Sequence, residues 1–129
     1  MATCSVCTSK ISWSARGLSR RAMMYLGVVA ALEGLASQLE DLPGEQRISP
    51  DLSDDVTIAD VQYQMLELSA DCRGASEAVH MAAHKAGGTL NFEALNELQE
   101  QCRGVIMAAH IACFERGLRP NFEMPSFVP

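Results

Sequence analysis

The chain predicts an all-α fold, and three observations carry that expectation. A stretch of 27 residues occurs twice at a spacing of thirty; apolar residues recur three and four apart over most of the chain; and glycine, proline and asparagine stand where helices should stop and start. The 129 residues suffice for one domain with a core of its own. Few aromatics, with Ala, Leu and Met prominent, suit helices packed through small side chains.

The repeat runs from Glu67 to Glu93 and again from Glu97 to Glu123, with twelve identical positions, among them Cys72/Cys102, Arg73/Arg103, Gly74/Gly104, His80/His110 and Asn91/Asn121. Identity at that level and at a fixed period points to duplication of one helical unit.

In chain order, residues 1–12 form an arm without periodicity, residues 13–117 the helical domain, and residues 118–129 a tail. The first helix is expected from about Ser14 to Asp41, with one stripe through Ala15, Leu18, Ala22, Tyr25, Val29, Leu32, Ala36 and Leu39. A second stripe, Met24, Val28, Ala31 and Leu35, lies beside it. Pro43-Gly44 stops this helix and opens a polar linker to Ser53. The second helix is expected near Asp54 or Asp55, whose carboxylates suit the positive end of the helix dipole, and to end at Gly87-Gly88. Asn91 caps the third helix, which stops at Gly117. Pro125 blocks a further helix after Asn121, leaving an extended tail in which Phe122 and Phe127 can pack.

A short connection makes the second and third helices an antiparallel hairpin, with the first packed antiparallel to the second and parallel to the third. Two apolar stripes exceed what such a narrow unit needs, so self-association into a larger bundle is expected, with Val28 and Leu35 among the contacting residues. With the turn centred near Thr89, Cys72 and Cys102 lie one helical turn apart, close enough to pack but poorly placed for a disulfide. His80 and His110 are too far apart along the hairpin to share a metal ion.

The charge of −6 argues against general affinity for nucleic acid. It is unevenly placed: Lys10, Arg16, Arg20 and Arg21 precede every acidic residue. Arg16, Arg20 and Arg21 sit against the dipole of the first helix, so their cause is sought elsewhere, either in Glu93, Glu97 and Glu100 or in an acidic patch on a partner. Five cysteines, an odd number without framework spacing, suit a reducing compartment. Arg20-Arg21 followed by Ala22–Leu32 superficially resembles a twin-arginine export signal, but the uncharged run is about eleven residues, short for a bilayer span, and Glu33 closes it. A cytoplasmic protein without a membrane role is expected.

Cys4-x-x-Cys7 is half a zinc site, and His80 with His84, one helical turn apart, can complete a Cys₂His₂ set where the arm meets the hairpin turn. No other cofactor is indicated. Catalytic signatures are missing: there is no phosphate-binding glycine loop, no nucleophile elbow and no HExxH, and the ExxH of a di-iron bundle occurs only once, as Glu77-x-x-His80. The function expected is therefore non-enzymatic. The chain reads as a small interaction module, a regulator, adaptor or inhibitor acting on a protein partner, of a kind common among accessory proteins of bacteria and their phages. A zinc-stabilised binding module is the alternative.

Overall fold

A computed structural model describes residues 15–49, 55–84 and 90–127, without the side chains of Ala15, Arg16 and His84. The described residues hold three helices packed together and no strand: α1 (Ala15–Leu39), α2 (Ile58–His84) and α3 (Phe92–Glu115). The arm and the expected turn at Gly87–Leu90 lie outside the described residues, except for Leu90 itself.

The helix ends show local chemistry at work. Asn91 accepts a hydrogen bond from the Ala94 amide, as its cap position requires. At the other end of α3, Gly117 takes a left-handed φ of 67°. That turn lets the Leu118 amide reach back to the Cys113 carbonyl and the Gly117 amide to that of Phe114. The start of α2 differs from the sequence expectation. Its cap is Thr57, not Asp54 or Asp55: the Thr57 hydroxyl accepts from the Asp60 amide while the Asp60 carboxylate accepts from the Thr57 amide. This is a reciprocal capping box, satisfying two otherwise orphaned donors.

Contacts fix the helix directions. Ser76 donates to the Ala22 carbonyl, Ser69 to Glu33, and Gln62 to the Ala36 carbonyl, so α2 runs antiparallel to α1. Tyr25 donates to the Leu95 carbonyl and Gln99 lies against Met24, placing the start of α3 beside the first half of α1. The backbones of α1 and α2 approach closely along much of their length, those of α1 and α3 far less. Side-chain size explains the difference. Where α2 presents Ser69 and Ser76, the repeat places Gln99 and Ile106 on α3, and the larger side chains hold α3 away from α1.

The crevice left between α1 and α3 is filled by the tail. Asn121 bonds through its amide to the Gln38 side chain and through its carboxamide to the Gly34 carbonyl. His110 bonds to the Phe122 carbonyl, Arg103 stacks on the Phe127 ring, and Met124 and Phe127 pack on the core. Both apolar stripes of α1 are thereby buried within one chain, Val28 and Leu35 completely. This corrects the expectation that they face a partner: the stripe counted as surplus is covered by α3 and the tail. α1 also contains the one helix segment among the described residues, Gly17–Leu39, long and apolar enough by composition to cross a membrane, and half of that window is buried inside the bundle.

The connection between α1 and α2, expected to be a polar linker, contributes to the core. Ile48 is buried, and Arg47 and Thr57 form an isolated antiparallel bridge. Arg116, which the sequence reading did not single out, clamps this loop to the end of α3. Its guanidinium donates to the carbonyls of Ile48, Arg47 and Ala112 and to the Gln46 side chain.

A single ammonium cannot reach four divergent acceptors. Arg116→Ala should therefore lower stability by about 2 kcal/mol in urea unfolding, and Arg116→Lys should recover less than half of that loss. Full recovery by lysine would show that charge at the helix end, and not the fan of hydrogen bonds, holds the loop.

Two glycines of α1 give a paired test. A Cβ at Gly27 meets nothing within 4 Å, whereas at Gly34 it would lie 2.1 Å from the Phe122 ring. Gly27→Ala should gain about 1 kcal/mol from helix propensity alone. In Gly34→Ala that gain is offset by expulsion of the ring, and the Asn121 amide should exchange with solvent roughly tenfold faster. Unchanged exchange at Asn121 would mean that the tail is not seated on Gly34.

Candidate functional site

Two grooves flank α2. The first lies between α2 and α3, on the side away from α1, and encloses about 400 Å³. Its walls are Val61 from α2 and Val105, Ala108 and Ile111 from α3, with Ile48 and Val56 of the connecting loop at one end. Met107 also lines it and is half exposed, and Phe114, 81% exposed, stands two turns further along α3. Met107, Ile111 and Phe114 recur four and three apart, a second apolar stripe beside the buried one. At its other end the groove shares Gln64 and Gln101 with a polar hollow that includes Glu67 and Asp71, and Glu100 stands on the groove rim.

Gly104 opens the groove wall. The repeated glycines Gly74 and Gly104, which from the sequence could each admit a close neighbour, have none: a Cβ built at either meets nothing within 4 Å. At Gly104 the missing side chain leaves space in the groove, while Gly74 lines neither hollow.

The second groove, about 480 Å³, lies between α1 and α2 and is lined by Met23, Leu26, Arg73, Ser76, Glu77 and His80, with Ser19 and Ala22. Arg73 pairs there with Glu33, and that guanidinium, helped by the Ser69 hydroxyl, holds the Glu33 carboxyl below its ordinary range. The repeat-equivalent Arg103 pairs with Glu100 on its own helix. The equivalent histidines divide likewise: His110 holds the tail, and His80 is exposed in the groove.

Of the residues proposed for a zinc site, Cys4 and Cys7 lie outside the described residues, as does the side chain of His84, so only His80 has a described position. Among the described residues no group of three or more His, Cys, Asp and Glu side chains is arranged to hold a metal ion.

The arginine patch separates into unlike parts. Arg20 is exposed, while the side chain of Arg16 lies outside the described residues. Arg21 is only 2% exposed and turns inward against Tyr25. Burial pushes the Tyr25 phenol up to about 12, with the Arg21 guanidinium acting in the opposite direction. Arg21 therefore belongs to the interior, which corrects its assignment to a partner-facing patch.

The position of the cysteines also corrects the hairpin register. Cys72 and Cys102 face each other with their sulfurs 3.4 Å apart, which puts the midpoint between the helices at position 87 instead of Thr89. Moving the midpoint by two residues shifts every facing pair by four, about one helical turn.

Charge reversal separates surface from interior. Arg20→Glu should leave the melting temperature within a few degrees of the parent. Arg21→Glu places a carboxylate against the core and should cost about 3 kcal/mol or more, read as loss of the cooperative melt. Equal tolerance of both changes would put Arg21 back on the surface.

No family model, characterised protein or solved structure matches this chain.

Proposed function

We propose that the protein is a non-enzymatic interaction module, a cytoplasmic regulator, adaptor or inhibitor built on a duplicated helical hairpin, and that it binds an amphipathic helix of a protein partner in the groove between α2 and α3. The observation that carries this reading is the apolar stripe of Met107, Ile111 and Phe114 beside a groove walled by Val61, Val105 and Ala108. A helix laid into such a groove buries its own apolar ridge there. Glu67, Asp71 and Glu100 at the polar end favour a partner with Lys or Arg on the flank of that ridge. The duplication is supported by the repeated Cys72 and Cys102, which meet face to face as equivalent positions of two like helices would. Self-association, expected from the stripes of α1, loses that support because both stripes are buried within one chain.

The test uses two glycine variants with the same added charge and a designed Leu/Lys amphipathic helical peptide. Gly104→Arg projects a side chain into the groove, whereas Gly74→Arg projects one away from it. Peptide affinity should fall roughly tenfold or more in Gly104→Arg and change little in Gly74→Arg. Equal loss in both variants would reduce the interaction to net charge. Equal binding of a Leu/Glu peptide with the same apolar face would remove the acidic rim from the argument. A dimer seen by sedimentation and abolished by Gly104→Arg would make a second copy of the chain the occupant.

A further inference from the structure

Cys72 and Cys102 are both fully buried at the same position of the repeat, one on α2 and one on α3. Their sulfurs are 3.4 Å apart and hydrogen bonded, thiol to thiol. Small apolar behaviour is the usual account of a buried cysteine, and it suffices for Cys113, whose thiol burial pushes up. It does not account for two facing thiols, because a pair of alanines would fill such a seam without a reactive group. A disulfide needs the two sulfurs at about 2.05 Å, so closure requires them to move together by little more than an ångström.

We propose that Cys72 and Cys102 form a reversible disulfide, a redox-sensitive staple between α2 and α3. The oxidant is a small peroxide able to enter through local opening of the bundle. One thiolate attacks the peroxide oxygen, breaking the O–O bond to give a sulfenic acid and water. The second thiol then attacks that sulfur and expels water as the S–S bond forms. Two thiols lose two electrons and two protons, and the peroxide takes them up as water. Either sulfur can attack first, because whichever loses its proton is held as the thiolate by the S–H of the other.

The staple closes a segment of thirty residues that includes the connection between the two helices. Closing a loop of that size restricts the unfolded chain more than the folded one, so the oxidised protein should be the more stable form. The bond also fixes the spacing of the two helices whose outer sides form the apolar groove, but its formation does not depend on any partner being bound there.

The experiment treats the full-length protein with hydrogen peroxide, followed by intact-mass measurement and peptide mapping. The same treatment is applied to a Cys4→Ser/Cys7→Ser/Cys113→Ala variant, in which the pair alone remains. Expected is the loss of two hydrogens per chain, a linked peptide joining the segments around Cys72 and Cys102, and a melting temperature raised by about 10 °C that returns on addition of dithiothreitol. Added oxygen atoms on separate cysteines without a linked peptide would overturn the proposal. So would a Cys72–Cys102 link found only after denaturation, which would make it a product of the unfolded chain. If Cys72→Ala or Cys102→Ala melts too low to study, dithiol capture in the parent protein decides. Phenylarsine oxide should protect both sulfurs together from alkylation; independent alkylation of the two would count against a functional pair.

Discussion

The close approach of α1 to α2 sets the rest of the structure. It depends on Ser69 and Ser76, small enough to let the backbones come together, with Ser76 returning its hydroxyl proton to the Ala22 carbonyl. The same positions on α3 carry Gln99 and Ile106, and there α1 stands off. Packing cannot tolerate the resulting crevice, since an unfilled space forfeits contact on both walls. The tail occupies it, and the glycine at position 34 gives the Phe122 ring its seat. Two helices with related sequences are thus used differently: one packs directly on α1, the other through a strap.

Polar groups inside the bundle mostly bind backbone carbonyls. Tyr25 uses Leu95, Ser76 uses Ala22, Gln62 uses Ala36, and Arg116 uses Ile48, Arg47 and Ala112. A helical carbonyl already bonded within its helix retains a second lone pair, so these contacts leave the ladders intact. Each has a modest net worth of about 1 kcal/mol, while a donor left unsatisfied after a shift in register costs about 1–3 kcal/mol. Their main effect is to select one register among apolar packings that would otherwise be nearly equivalent.

Much of the helical framework is legible in the sequence because its signals are local. The stripe of α1, the Asn91 cap and the Gly117 stop each act within a turn or two, and the structure places them where the residues imply. The features not legible depend on distant partners or on counting across a gap. Ile48 stands in a polar stretch, and only the loop's return to Thr57 makes it core. The Arg116 clamp joins residues nearly seventy positions apart. Thr57-x-x-Asp60 was a readable capping signal, overshadowed by two aspartates just before it. The cysteine register was missed because an error of two residues at the turn doubles along the hairpin. The second stripe of α1 was seen, but its cover comes from a tail that hydrophobic periodicity cannot place.

The thirty-residue correspondence between α2 and α3 sorts positions by what they face. Positions facing the hairpin seam stay small: Cys72 and Cys102 are the same residue, as are Ala82 and Ala112. Positions facing α1 differ in size, which the packing explains. One exposed pair differs in polarity: Glu77 corresponds to Met107. No demand of the fold accounts for that last change. Phe114 gains little from the core at 81% exposure, and Met107 is half in solvent. A single exposed apolar residue is ordinary on any protein surface, but exposed Met107 and Phe114 flank the half-buried Ile111 on one helical stripe beside a groove, forming a patch. Burying such a patch would recover on the order of 25 cal/mol for each Å² removed from water, a gain the isolated chain leaves unused. Seam and α1-facing positions of the two helices are thus accounted for by packing inside the bundle, whereas Met107 and Phe114 leave apolar surface beside the groove that no contact within the described residues covers.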